Sequence, residues 1–101
     1  MIVVSGRARL LESKAEELVR AASNMAATSR SESGCIDYRF AIDVDDALVI
    51  QMIEQWESSE ALDAHFGTSH FAVFSEVLLA AVDGPAQFTR FEIASNGPLF
   101  G

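Results

Sequence analysis

The side chains that could carry a proton near neutral pH gather in one stretch of the chain. Both histidines and the single tryptophan fall between Trp56 and His70, and Glu54 stands two residues before Trp56. Imidazole titrates near neutrality, and a carboxyl group dried by burial moves up towards the same range. Glu54 and His65 are therefore candidate acid–base groups, with His70 beside them. Tyr38, Phe40, Phe66, Phe71 and Phe74 could add aromatic walls, and such walls with few polar groups suit a flat organic ligand. A plainer reading stays open: the rings form a core, Trp56 anchors a strand end, and Glu54 pairs with an arginine or caps a backbone group.

Other chemistries find less support. His65 and His70 are five residues apart, which on an unbroken helix leaves their rings roughly 140° apart around the axis. That is not the i, i+4 clamp that grips a metal, no third ligand is evident, and no metal site is expected. No serine sits in a G-x-S-x-G elbow, and the six glycines are isolated rather than gathered in a phosphate loop. Cys35 is the only cysteine, so neither an intrachain disulfide nor a cysteine metal cage can form, and a small buried thiol is expected.

The elements that would position these groups follow from periodicity. "MIVVSGRARL" alternates, with Ile2, Val4, Gly6, Ala8 and Leu10 on one face, and reads as a strand. Ser13 and Glu16 form an S-x-x-E capping box, followed by an apolar stripe at helical spacing from Ala15 to Ala26. After Ser33-Gly34, "CIDYRFAIDV" and "LVIQMIEQW" flank the turn residues "DVDDA" and predict a hairpin. Leu48, Ile50, Met52, Glu54 and Trp56 share one parity, and Ile36, Tyr38, Phe40 and Ile42 another. Ser58-Ser59-Glu60 opens a helical region that Gly67 interrupts. A further helical stretch over 69–81 stops at Asp83-Gly84-Pro85, and "AQFTRFEIA" is the last strand.

The order β-α-β-β-α-β predicts an α+β, ferredoxin-like fold with a four-stranded antiparallel sheet. A single domain over 1–95 and a tail over 96–101 are expected. If helices cover one face, either the Ile36/Tyr38/Phe40 set or the Leu48/Ile50/Met52 set should line the other. A sheet apolar on both faces calls for a second copy, so a homodimer through the sheet face is expected.

Charge narrows the partners. Fifteen acidic residues against seven cations give a net charge of −8, and the cations are scattered singly. Nucleic acid and anionic membrane surfaces are thus disfavoured, because both require clustered cations. The N-terminus lacks the basic start and apolar run of a signal peptide, so a cytoplasmic location is expected.

Three strings then carry a resemblance: Gly34-Cys35-x-x-Tyr38, Glu54-x-Trp56, and Ala61-Leu62-x-Ala64-His65 followed by Ser69-His70-Phe71. With them the chain resembles the antibiotic biosynthesis monooxygenase (ABM) family over roughly Val3 to Glu92. The resemblance implies a dimeric α/β barrel and oxidation of a quinol, phenol or polyketide-like aromatic by O2 without metal or flavin. It implies His65 as base, with Trp56 and Tyr38 as catalytic pocket partners, and Glu54, His70, Phe71 and Phe74 as substrate-binding groups. No cofactor is expected, and a small aromatic or quinone-like molecule is the expected ligand. Family members that degrade haem or hold polyketides carry an asparagine late in the first strand, where this chain reads Ser5-Gly6-Arg7. The family also includes isomerases of small oxygenated metabolites and members without turnover, so a non-catalytic binding or stress-related protein, or an isomerase, are the alternatives.

Overall fold

A computed structural model describes every residue from Met1 to Gly101. The elements run β1 (Ile2–Arg9), α1 (Glu12–Arg30), β2 (Cys35–Ile42), β3 (Val49–Trp56), α2 (Ser59–Phe66), α3 (Ser69–Ala81) and β4 (Gln87–Glu92). The strands form one antiparallel sheet in the order β2-β3-β1-β4. This is the ferredoxin-like arrangement that the element order predicts, with the second helical region divided in two. The helices cover one sheet face, and no helix is long and apolar enough to cross a membrane.

The alternation of β1 holds: Ile2, Gly6 and Ala8 are buried, and Ser5, Arg7 and Arg9 are exposed. The capping box at Ser13 and Glu16 does not form. Helix α1 begins at Glu12 behind Leu11, and no side chain caps it. The cause is tertiary, since Leu10 N donates to Leu48 O and Leu11 N to Ala81 O, each at 2.7 Å. These bonds hold the end of β1 against β3 and α3, and the helix starts before Ser13 can act as a cap. The Ser58 hydroxyl does cap α2, accepting from Ala61 N at 3.2 Å. Gly67 then ends α2, and Thr68 caps α3 by accepting from Phe71 N at 3.2 Å.

The two apolar strand sets do not lie on opposite faces. Tyr38 stands directly across from Glu54, and Phe40 across from Met52, and residues directly opposed share a face. Both sets therefore lie under the helices. A bulge between Cys35 and Asp37 completes the pattern. It makes Ile36 the extra residue, 49% exposed, and turns Cys35 inward opposite Trp56. The outer face is a polar field of Ser5, Arg7, Arg39, Gln51 and Gln55, interrupted by Val3, Ile53 and Phe91. Val3 pairs with Phe91, and Ile53 stands opposite Ser5.

Gly34 fixes the approach of α2 to the sheet. Its φ of +83° suits glycine, and an added Cβ would lie 2.5 Å from the Ala61 Cβ. Gly34 O also accepts from Glu57 N at 2.8 Å. The start of β2, the end of β3 and the first turn of α2 are thereby held together, and this is the corner where the candidate residues meet.

Candidate functional site

Between the inner sheet face and α3 lies a cavity of about 350 Å³. Val4 and Met52 line it from the sheet, and Phe66, Phe71 and Phe74 from the helices. Phe88 of β4, which sequence reading did not single out, adds another wall. It can lie over the sheet because position 6 is glycine: a Cβ there would meet Met52 and Phe88 at 2.7 Å. The polar lining is Tyr38, Glu54 and Ser75. The Ser75 hydroxyl is committed to Phe71 O at 2.8 Å, which leaves Tyr38 and Glu54 to meet a ligand. A second cleft of about 270 Å³, beside α1, contains Arg30 and Arg39 but none of the candidate residues except Phe40.

Glu54 is 6% exposed. Its Oε1 accepts from the Trp56 indole N–H at 2.9 Å, a bond that the i, i+2 spacing on one strand face makes available. Burial pushes the carboxyl up to about 7 from its ordinary 4.5. The hydrogen bonds from Trp56 and the Tyr38 hydroxyl oppose that rise, and the charge of Glu32 adds to it. Glu54 is thus poised to exchange a proton near neutral pH. Tyr38 behaves differently, because burial, aided by the charges of Glu54 and Glu32, drives its phenol far above the ordinary value of 10 and keeps it protonated.

His65 is fully buried. Its ring packs 4.8 Å from Trp56 and 5.3 Å from both Tyr38 and Phe71, centroid to centroid. Its Nε2 lies 3.4 Å from the Tyr38 hydroxyl and its Nδ1 2.6 Å from Glu32 Oε2. Burial holds the imidazole below its usual 6.5, against the hydrogen bond and charge of Glu32. His70 Nε2 reaches the same Glu32 oxygen at 2.8 Å. The five-residue spacing did not keep the histidines apart, because the break at Gly67 and Thr68 starts a new helix and brings the rings to 5.7 Å.

Of the residues singled out from sequence, Tyr38, Glu54, Phe66, Phe71 and Phe74 line the cavity. Trp56 and His65 stand behind it, and His70 lies on the far side of His65, partly exposed. Cys35 is half-buried, and burial pushes its thiol up to about 11, so it stays protonated near neutral pH. Sequence reading missed Glu32, in the turn after α1, which lies 33 and 38 residues from the histidines it joins. Glu32 is the third group that spacing could not supply, and Glu32, His65 and His70 form the one cluster dense enough to consider for a metal. An ion about 2.1 Å from each donor would hold neighbouring donors about 3 Å apart or more. The separations of 2.6 and 2.8 Å seen here are those of hydrogen bonds.

The sequence profile described as "Antibiotic biosynthesis monooxygenase" matches residues 1–77. The chain belongs to the antibiotic biosynthesis monooxygenase family. An uncharacterized protein of Synechocystis is 34% identical over 98 residues, covering 97% of this chain and 67% of its own length. The YcnE protein of Bacillus subtilis, named as a candidate monooxygenase, is 27% identical over 94 residues, covering 93% of this chain and 99% of its own. A solved protein from Pseudomonas aeruginosa superposes with a TM-score of 0.83 at 29% identity, covering 93% of this chain and 94% of that one. An ABM structure from Deinococcus radiodurans shares the fold along the full length of both chains, with a TM-score of 0.89 at 20% identity. The profile match spans Tyr38, Glu54, Trp56, His65 and Phe74, and it ends before Phe88.

Proposed function

We propose that the protein is a monooxygenase of phenolic or quinol-type aromatics that draws electrons from the substrate itself. One observation carries this reading: Glu54, a carboxyl poised near pH 7, faces an aromatic cavity large enough for one or two fused rings. Removing a phenolic proton makes the ring electron-rich enough to reduce O2. For a hydroquinone the balance closes without another reductant. The quinol and O2 yield a hydroxyquinone and water, with one oxygen inserted into a C–H bond and the ring giving up four electrons. Dry aromatic walls keep water from intercepting the intermediates.

In this reading Glu54 is the base that meets the ligand, and the burial of His65 behind Tyr38 supports that assignment. O2 uptake by the protein over a panel of hydroquinones tests the proposal. Uptake should exceed that of buffer and fall about 100-fold or more in Glu54→Gln. Rates equal to buffer across the panel would remove the reading. Turnover that persists without O2 would instead favour an isomerase, and ligand-induced thermal stabilisation without product a binding protein.

We also infer a homodimer through the outer sheet face, supported by the apolar Val3, Ile53 and Phe91 side chains within that polar field. Light scattering at micromolar concentration should give twice the chain mass, and Ile53→Lys should shift it towards a monomer. A monomeric wild type would overturn the inference.

A further inference from the structure

The geometry points to a proton store behind the cavity: His65, held by Glu32 and coupled to Glu54 through the Tyr38 hydroxyl. The use assigned to it rests on the oxygenase reading above, but its existence does not. A carboxylate only accepts hydrogen bonds, so His65 Nδ1, 2.6 Å from Glu32 Oε2, carries the ring proton. Nε2 is then bare and faces the Tyr38 hydroxyl at 3.4 Å. Tyr38 stands directly across from Glu54 in the sheet, and both line the cavity. Once Glu54 carries a proton, donors and acceptors line up in one direction, from the ligand site to Glu32.

Each step balances. The Glu54 carboxylate takes a proton from the ligand hydroxyl. That proton passes to the Tyr38 oxygen as the tyrosine's own proton moves to His65 Nε2, and Glu54 returns to a carboxylate. The imidazolium so formed lies against the Glu32 carboxylate, which offsets the cost of a charge in a fully buried ring. Running in reverse, the path returns the proton to the oxygen that leaves as water. The long link is Tyr38 to His65, and hydrogen bonds of this kind tighten when a ligand is bound. Thr68 and His70 close the outer side: His70 shares the Glu32 oxygen at 2.8 Å and touches the Thr68 hydroxyl at 3.3 Å. Ser29 and the Arg30 guanidinium, which donates to Tyr38 O at 2.7 Å, flank the tyrosine from α1. Glu32 is a positioning residue, since it acts through His65 and does not reach the cavity.

Nitrogen NMR of the imidazoles tests the store without any substrate. The chain has two histidines, so His70→Asn assigns the signals. His65 should show the Nδ1–H tautomer in the wild type, and its resonances should follow the Glu54 titration. In Tyr38→Phe that response should vanish while the tautomer stays, and in Glu32→Gln the tautomer should become mixed. An Nε2–H tautomer in the wild type, or a response that survives in Tyr38→Phe, would overturn the proposal. A response present with no oxygen uptake would leave the store standing and remove the oxygenase reading. Where turnover is seen, Glu32→Gln should lower kcat tenfold or more with KM little changed. Loss of folding in Glu32→Gln, judged by circular dichroism, leaves the Tyr38→Phe comparison to decide.

Discussion

Replacing Glu54 by Gln should make the protein more stable at pH 8 and leave its stability little changed at pH 4. The Glu54 carboxyl is buried, and it rises from 4.5 to about 7 on folding. The folded state therefore binds this proton more tightly than the unfolded chain does, and stability falls as pH rises between those two values. Gln keeps the shape and can still accept from the Trp56 indole, but it has no charge to desolvate. The gap between variant and wild type should open from about pH 4.5, grow up to pH 7 and then stay level, reaching about 3 kcal/mol. Urea melts of both proteins across that range would measure it, and a gap that does not change with pH would contradict the desolvated carboxyl. The variant expected to gain stability is the one expected to lose turnover, as is usual where an active site holds a charge in a dry place.

The second large effect belongs to Trp56. Its side chain is fully buried, stacks on His65 and donates to Glu54 at 2.9 Å. Trp56→Ala should cost about 3–5 kcal/mol in a urea melt through the cavity it leaves. Trp56→Phe should cost less, because much of the ring remains. The two functions of the indole then separate: without its N–H, nothing from Trp56 favours the charged carboxylate, so the Glu54 pKa should rise further in Trp56→Phe. An unchanged Glu54 titration in that variant would mean that burial alone sets the value. Carbon NMR of the Glu54 carboxyl reads this directly.

The sheet and the site were legible to different depths. Alternation in β1 and β3, the stripe of α1 and the Ser58 cap are local signals, and they survive because each depends on residues a few positions apart. The Ser13 cap failed because Leu10 and Leu11 are held by Leu48 and Ala81, partners that no local window contains. The face reading of β2 failed at one bulged residue: Ile36 drops out of the alternation and Cys35 turns inward. The register that sets Tyr38 opposite Glu54 and Phe40 opposite Met52 put both apolar sets on one face. It removed the argument for a dimer from two apolar faces, and the outer face now rests its case on Val3, Ile53 and Phe91.

By itself the sequence determined the order of elements, the fold class that follows from it, and the aromatic residues near one acid and two histidines. Residue types and periods of two and 3.6 are enough for that, because backbone geometry ties them to strands and helices. Only the tertiary structure decided which of these groups touch. The break at Gly67 swung His70 towards His65, and the turn after α1 brought Glu32 to both from more than thirty residues away. Register placed Tyr38 opposite Glu54. Desolvation depends on every atom that excludes water, whatever its place in the chain, so the proton affinity of Glu54 exists only once the sheet, the bulge and α3 have closed around it.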